Sequence, residues 1–277
     1  MISLKSLLIF LTSNFVLISI SLIIKYLMSY CNLFLLIIAK NFLLINLLEL
    51  ITSKNEEIDP QTNNSEINNT RINTNLISDN IRIDPYPDYF GEFELNVIQG
   101  SFVEYLSYLT ISYFFGFQQT SLWIDLLLFI PKSFIFEIMF DFLHYVTHRL
   151  VHAIPIIYKN THKKHHKFST PICITAYYQD IFDLLFTNYM PFIITSYFIS
   201  LSSYEFILYN IYKSFIEISG HCGKETSSSS FPQMYWLPRI FHIELTVNDH
   251  DLHHTRNKCN YAKRFSLWDK IFGTYVY

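Results

Sequence analysis

The sequence predicts an all-α fold, an integral membrane helical bundle with a cytosolic helical cap carrying three histidine boxes. Three observations predict it. Half of the 277 residues are hydrophobic and only 16% are charged, against about 25% charged in ordinary soluble domains. Long apolar stretches recur along the chain. All eleven histidines fall between His144 and His254, and eight of them sit at spacings of three and four, which bring imidazoles onto one face of a helix.

The apolar stretches come first. Residues 6–24 carry no charge and reach about 28 Å as a helix at ~1.5 Å per residue, enough to cross a bilayer core. No small-residue cleavage site follows, so the segment reads as a retained anchor and not as a signal peptide. Residues 32–51 are a second apolar stretch, interrupted by Lys40, that either spans or lies at the interface. Residues 1–51 are therefore read as N-terminal membrane anchor segments. Residues 52–90 turn abruptly to Asn, Asp, Glu, Ser and Thr. Such a stretch cannot bury enough apolar surface to fold alone and reads as a flexible acidic linker. Asn63 and Asn68 within it match the glycosylation acceptor pattern.

Residues 91–277 read as the working domain, which the resemblance given below makes the catalytic one. An apolar-aromatic segment covers 95–118. Another covers 121–140, is broken by Pro131-Lys132, and runs into the first histidine pair. Two more, 181–201 and 204–218, are separated by Ser202-Ser203 and carry Asp183, Pro191 and Lys213, which count against simple spans. Residues 223–230, with four successive serines, are a loop. Arg149, Lys159, Lys163, Lys164 and Lys167 surround the first two boxes, and Arg256, Lys258, Lys263, Arg264 and Lys270 follow the third. An excess of Lys and Arg beside membrane segments marks the cytosolic side. All three boxes are thus expected on one cytosolic face. The net charge of −3 argues against a nucleic-acid binder. Cys31, Cys173, Cys222 and Cys259 form no CxxC pair and read as reduced thiols.

The boxes are His144-x-x-x-His148, His162-x-x-His165-His166 and His250-x-x-His253-His254. His162 and His166 share a helical face and His165 sits beside it, so one turn offers ligands to two metals. The third box repeats that logic. A structural zinc site usually mixes thiolate with imidazole, and a catalytic zinc needs only three protein ligands. Eight or nine histidines fit two metals with four or five ligands each. Soluble di-iron bundles use mostly glutamates, and the boxes contain none. Ligating histidines usually donate their other N–H to a carboxylate or carbonyl. Asp141, Glu217, Asp249 and Asp251 are the carboxylates placed to orient ligands, with Asp180 and Asp183 weaker candidates.

The run Asp141 to His152, the box His162-Lys-Lys-His165-His166, and the segment Asn248-Asp249-His250-Asp251-Leu-His253-His254 resemble the fatty acid hydroxylase / sterol desaturase superfamily. Trp268-Asp269-Lys-Ile-Phe272-Gly273-Thr274 resembles its closing motif. The resemblance covers roughly residues 95–277. It implies metal-ligand roles for His144, His148, His162, His165, His166, His250, His253 and His254, with His221 as the ninth ligand. His152 is either a further ligand or a donor orienting one, and His242 is read as a non-ligand.

The resemblance further implies two iron ions and O2 as co-substrate. Electrons would come from NAD(P)H through a separate reductase and a cytochrome b5-type donor, since no GxGxxG fingerprint is present. The expected reaction is hydroxylation or desaturation of a lipid, with a lean to a C-4 methylsterol oxidase-like sterol enzyme and a fatty acyl or sphingolipid hydroxylase as the alternative. The expected location is the endoplasmic reticulum. A histidine-rich membrane metal-binding or transport protein without redox activity is the alternative of another class, but its ligands should lie near mid-bilayer and not at basic, polar ends. A catalytically dead scaffold is opposed by the intact boxes.

Overall fold

The computed structural model describes residues 4–53, 91–168, 172–222 and 230–277. The expected linker, except for Thr52 and Ser53, and the serine loop, except for Ser230, lie outside the described residues, as do Asn63 and Asn68. The fold is all-α. Among the described residues, β pairing is limited to two isolated bridges, Gln118 with Ser202 and Glu244 with Phe265.

The two N-terminal apolar stretches form helices α1 (Leu4–Leu27) and α2 (Leu33–Ser53). Both are long and apolar enough to cross a membrane, over Leu7–Leu27 and Leu33–Thr52. Lys40 does not interrupt α2. Its Nζ is buried and donates to Glu104 Oε2 at 2.6 Å and Ser214 Oγ at 2.8 Å. A buried charge is tolerated when it is paired and hydrogen-bonded in this way.

Helix α3 (Glu92–Thr110) continues into a π-helical turn, Ile111–Phe115, which Gly116 ends at φ 75°. Helix α4 (Leu122–Ala153) runs unbroken for 32 residues. The expected break at Pro131-Lys132 is therefore corrected. Proline removes one N–H from the ladder, but Phe129 and Phe136 are buried on either side of it, and Lys132 is tied to Glu205 at 2.5 Å. Packing on both flanks outweighs the missing bond.

The 181–201 stretch becomes a short helix Ile181–Leu184, a π-helical turn Leu185–Tyr189, and helix α5 (Met190–Phe198). The 204–218 stretch becomes α6 (Ser203–Gly220), whose cap Ser202 accepts from the Glu205 N–H. Helix α7 (Val247–Arg256) carries the third box, and α8 (Leu267–Ile271) carries the closing motif.

Helix α1 packs on α6, where Ser21 Oγ meets Tyr204 OH at 2.9 Å and Tyr212 OH donates to Asn14 Oδ1 at 2.5 Å. Helix α2 packs on α3, where Asn41 donates to Ser101 at 2.9 Å. The approach of α3 to the 173–177 turn is close at Gly100, where a Cβ would lie 2.5 Å from Tyr177 Cδ1.

The core is aromatic. Phe136, Phe140, Phe192, Tyr209 and Tyr212 are buried together, with the Phe136 and Tyr209 centroids 4.3 Å apart. Burying each such ring contributes on the order of 1.5–3 kcal/mol. Above this layer Phe140 stacks under His144, so the core reaches the last three turns of α4, where the histidines begin.

Candidate metal centre

Helix α4 places His144, His148 and His152 at four-residue steps along one stripe. After Pro155 the chain winds through a π-helical turn, Tyr158–His162, and then a 3-10 turn, His165–Lys167. The second box is therefore not on an α-helix. His165 and His166 face different groups. Helix α7 is started by Thr246, whose hydroxyl accepts from the Asp249 N–H, and is ended by Asn257 in the left-handed conformation. His221 is the residue that caps the end of α6.

These elements assemble two groups of imidazoles. His148, His152, His162, His166 and His253 form one, and His165, His221, His250 and His254 form the other. Within each group the available ring nitrogens lie within 4.8 Å of one another. Both the second and the third box divide between the groups. His144 falls outside both. Its Nδ1–H donates to Thr187 O at 2.6 Å, and it faces a cavity of about 20 Å3 that also touches His148, His162, His165, His221 and His250. That is room for about one water molecule. His242 is exposed and outside both groups, with φ 54°.

Backbone carbonyls orient three of the nine rings. His148 Nδ1–H donates to Tyr261 O, His253 Nδ1–H to Cys259 O and His221 Nδ1–H to Glu217 O, each at 2.7 Å. A carboxylate orients one more, since His162 Nδ1–H lies 2.9 Å from both oxygens of Asp183. In a neutral ring this leaves Nε2 as a lone pair. His148 Nε2 and His162 Nε2 stand 3.0 Å apart. His253 Nε2, in the same group, is buried without any partner. In the other group His221, His250 and His254 bring their Nε2 atoms together at 3.1 Å.

Protonation does not relieve this crowding. Burial, followed by neighbouring imidazoles, holds His148, His165, His250 and His254 well below the ordinary imidazole pKa. Burial also lowers His221 to about 4 and His253 to about 3. Buried imidazole nitrogens that converge in this way, those of His148, His221 and His253 held as lone pairs by the carbonyls behind them, fit a cation. Imidazole suits iron, copper, nickel and zinc.

The carboxylates singled out from the sequence do other work. Asp141 accepts the backbone N–H groups of Lys263, Arg264 and Phe265 at 2.7, 2.8 and 3.0 Å. Glu217 pairs with Lys213, Lys263 and Arg264 at 2.8, 3.0 and 3.3 Å, while only its carbonyl meets His221. Asp249 closes the cap of α7 on Thr246. Asp251 touches no histidine, and burial raises it to about 7. Asp180 caps the 181–184 helix. Asp183, a weaker candidate from the sequence, is the acid on a ring nitrogen. The carbonyls of Tyr261, Cys259 and Glu217 carry no side-chain signal that a sequence reading could detect. Asp269 accepts the N–H groups of Tyr261 and Ala262, both at 2.8 Å, and its signal was the closing motif.

Comparison with known proteins finds lipid-hydroxylating relatives. A fatty acid hydroxylase of a Lecanicillium species is 32% identical over 148 residues, covering 50% of this chain and 40% of that protein. Cholesterol 25-hydroxylase of Homo sapiens is 28% identical over 152 residues, covering 54% of this chain and 53% of that protein. A methylsterol monooxygenase of Aspergillus fumigatus is 28% identical over 144 residues, covering 50% and 46%. The chain spans about half the length of the curated relatives it matches. No solved structure matches it significantly. The family model described as fatty acid hydroxylase matches residues 133–274, just over half of the chain and the span that holds every histidine; the chain belongs to the fatty acid hydroxylase family.

Proposed function

We propose that this protein is a membrane lipid hydroxylase that holds two iron ions and uses O2 and external electrons. The observation that carries the reading is the division of nine buried or half-buried histidines into two groups of five and four. His148, His152, His162, His166 and His253 would hold one iron, and His165, His221, His250 and His254 the other. His144 is then not a ligand but lines the small cavity that touches both groups. When bound, iron supplies O2 activation and the electron transfer needed to break an unactivated C–H bond.

The chain's own residues do the rest. Asp183 and the carbonyls of Tyr261, Cys259 and Glu217 fix ring orientation and tautomer before metal arrives, so no reorganisation is needed on binding. Burial of the groups limits water at the reacting centre, which protects a strong oxidant from side reactions. Arg149, Lys159, Lys163, Arg256 and Lys258 are exposed around the histidine cap. This basic rim suits an acidic electron carrier of the cytochrome b5 type, fed by a separate reductase. It also supports a cytosolic orientation of the cap in the endoplasmic reticulum membrane. Residues 1–51 are proposed as anchor, 52–90 as linker and 91–277 as the catalytic region. The sterol-acting relatives support a sterol-type substrate, with hydroxylation preferred over desaturation.

The test is metal content and turnover of the purified full chain in lipid nanodiscs. Two irons per chain, lost in His165→Ala and His253→Ala, with O2- and electron-dependent hydroxylation of an added sterol, would support the reading. Iron-supplied protein that holds no iron, or that holds zinc alone, would sink it.

A further inference from the structure

Lys263 follows the third histidine box with other cations, but it does not join the exposed basic rim. Its side chain is 12% exposed. It lines the cavity of about 20 Å3 whose walls include His148 and His162 of one histidine group and His165, His221 and His250 of the other. Asn188 lines the same cavity, and its Oδ1 accepts from Lys263 Nζ at 2.8 Å. The ammonium therefore reaches a wall that both groups share.

This cation is short of acceptors. An ammonium carries three N–H donors. Asn188 Oδ1 takes one and Glu217 Oε1 lies 3.0 Å away, so a third N–H has no partner among the described residues. Positive charge is also in surplus. Lys213 and Lys263 both pair with Glu217 Oε1, at 2.8 and 3.0 Å, and among the described residues neither lysine pairs with another carboxylate. Arg264, the third cation on Glu217, has Glu137 at 2.8 Å besides. Asp183 is the other charged side chain on the cavity wall, and both its oxygens face His162 Nδ1–H. Burial lowers the Lys263 amine to about 8, so it stays mostly charged at pH 7. A buried cation with an unused donor is stabilised by an anion.

We propose that Lys263 is an anion-binding residue of the histidine centre, its charge and its unpaired N–H holding a small anion in the cavity between the two groups. The inference deepens the hydroxylase reading and rests on it for the metals. The cavity has room for about one water-sized ligand, which excludes phosphate, sulfate or a fatty carboxylate. A cation fixed in place before the ligand arrives favours a negative ligand over a neutral one, as the preorganised donors of an oxyanion hole do.

The test is an azide titration of the iron-loaded full chain in nanodiscs, read by the absorption band that azide gives with ferric iron. Lys263→Met should weaken azide about tenfold with iron per chain unchanged, because Lys213 and Arg264 still pair with Glu217. Lys263→Gln, which keeps an N–H and loses the charge, repeats the test in a second protein and should also weaken azide. Lys258→Met removes the same charge from an exposed position and should leave azide affinity within about twofold of wild type, since salt screens it. Unchanged azide affinity in folded, iron-loaded Lys263 variants, or equal weakening in Lys258→Met, would overturn the inference. A second arm does not depend on iron. Azide should raise the melting temperature of the chelated wild-type chain and should not raise that of Lys263→Met; equal responses would also overturn the inference. The two readings can therefore fail separately. A chain that holds no iron, yet answers azide through Lys263, keeps the anion site and loses the enzyme. A chain with two irons whose azide affinity ignores Lys263 does the reverse.

Discussion

Asp141 and Asp269 divide between them five consecutive backbone N–H groups. Asp269 accepts those of Tyr261 and Ala262, and Asp141 accepts those of Lys263, Arg264 and Phe265. The two acids come from α8 and α4, more than a hundred residues apart. The stretch they grip carries the Tyr261 carbonyl that holds His148. Arg264, fully buried, adds a 2.8 Å pair to Glu137 from the same stretch. The closing motif therefore acts one step behind the histidine groups, by fixing the loop that orients His148.

Asp269→Asn should test this directly. The amide retains one acceptor but turns an NH2 toward a second backbone donor, leaving a buried N–H unpaired at a cost of about 1–3 kcal/mol. Expected outcomes are a lower melting temperature and metal affinity weaker by roughly 10–100-fold, read by iron retention after chelator dialysis. Wild-type iron retention in the variant would remove Asp269 from this role.

His144→Ala and His152→Ala separate the sequence reading from the geometry. His152 lies in the five-histidine group and His144 in neither. The His152 variant should lose iron from the first group, while the His144 variant should keep most of its iron and lose activity through the altered cavity. Metal analysis of both proteins decides it, and the reverse pattern would restore His144 as a ligand.

Asp183→Asn should weaken metal retention without unfolding the bundle. The carboxylate faces His162 Nδ1–H with both oxygens at 2.9 Å, and an amide makes a weaker acceptor for that ring. Loss of an outer carboxylate partner typically lowers metal affinity about 10–100-fold. Circular dichroism with an iron titration measures both effects, and unchanged affinity would count against the orienting role.

The metal-free protein should lose stability as the pH falls. His221 at about 4 and His253 at about 3 bind protons less readily when folded than the ordinary imidazole near 6.5. Between those values the unfolded chain holds more protons, so unfolding free energy rises with pH across that window and levels off above about 6.5. Thermal melts of the chelated protein from pH 7.5 to 5 should show falling midpoints. A flat profile would mean that these rings are solvated in solution.

The membrane helices and the three boxes were legible in the sequence because they depend on local pattern. Uncharged runs of about twenty residues have few alternatives to a helix in an apolar setting. The interruptions were less legible. Lys40 and Pro131 read as breaks, yet α2 and α4 continue through both, because Glu104 and Ser214 satisfy the lysine and buried rings flank the proline. Those partners lie far away in the chain.

Within the site, residue types and their clustering came from the sequence, and the sorting into two groups came from the tertiary structure. His144, His148 and His152 form one stripe at equal steps, so periodicity cannot choose among them. The choice depends on how far along α4 the cap meets it, where Tyr261 and Thr187 each claim a ring. The division of His165 from His166 follows the spacing, as does that of His253 from His254, but the second box makes it across a π-to-3-10 change of winding that spacing does not announce. Asp183 reaches His162 across 21 positions of chain, and the orienting carbonyls have no side-chain identity at all. Local pattern determined which residue types the chain brings to the site; long-range packing decided which nitrogen joins which histidine group, because lone-pair direction is set by hydrogen bonds that only the folded chain can make.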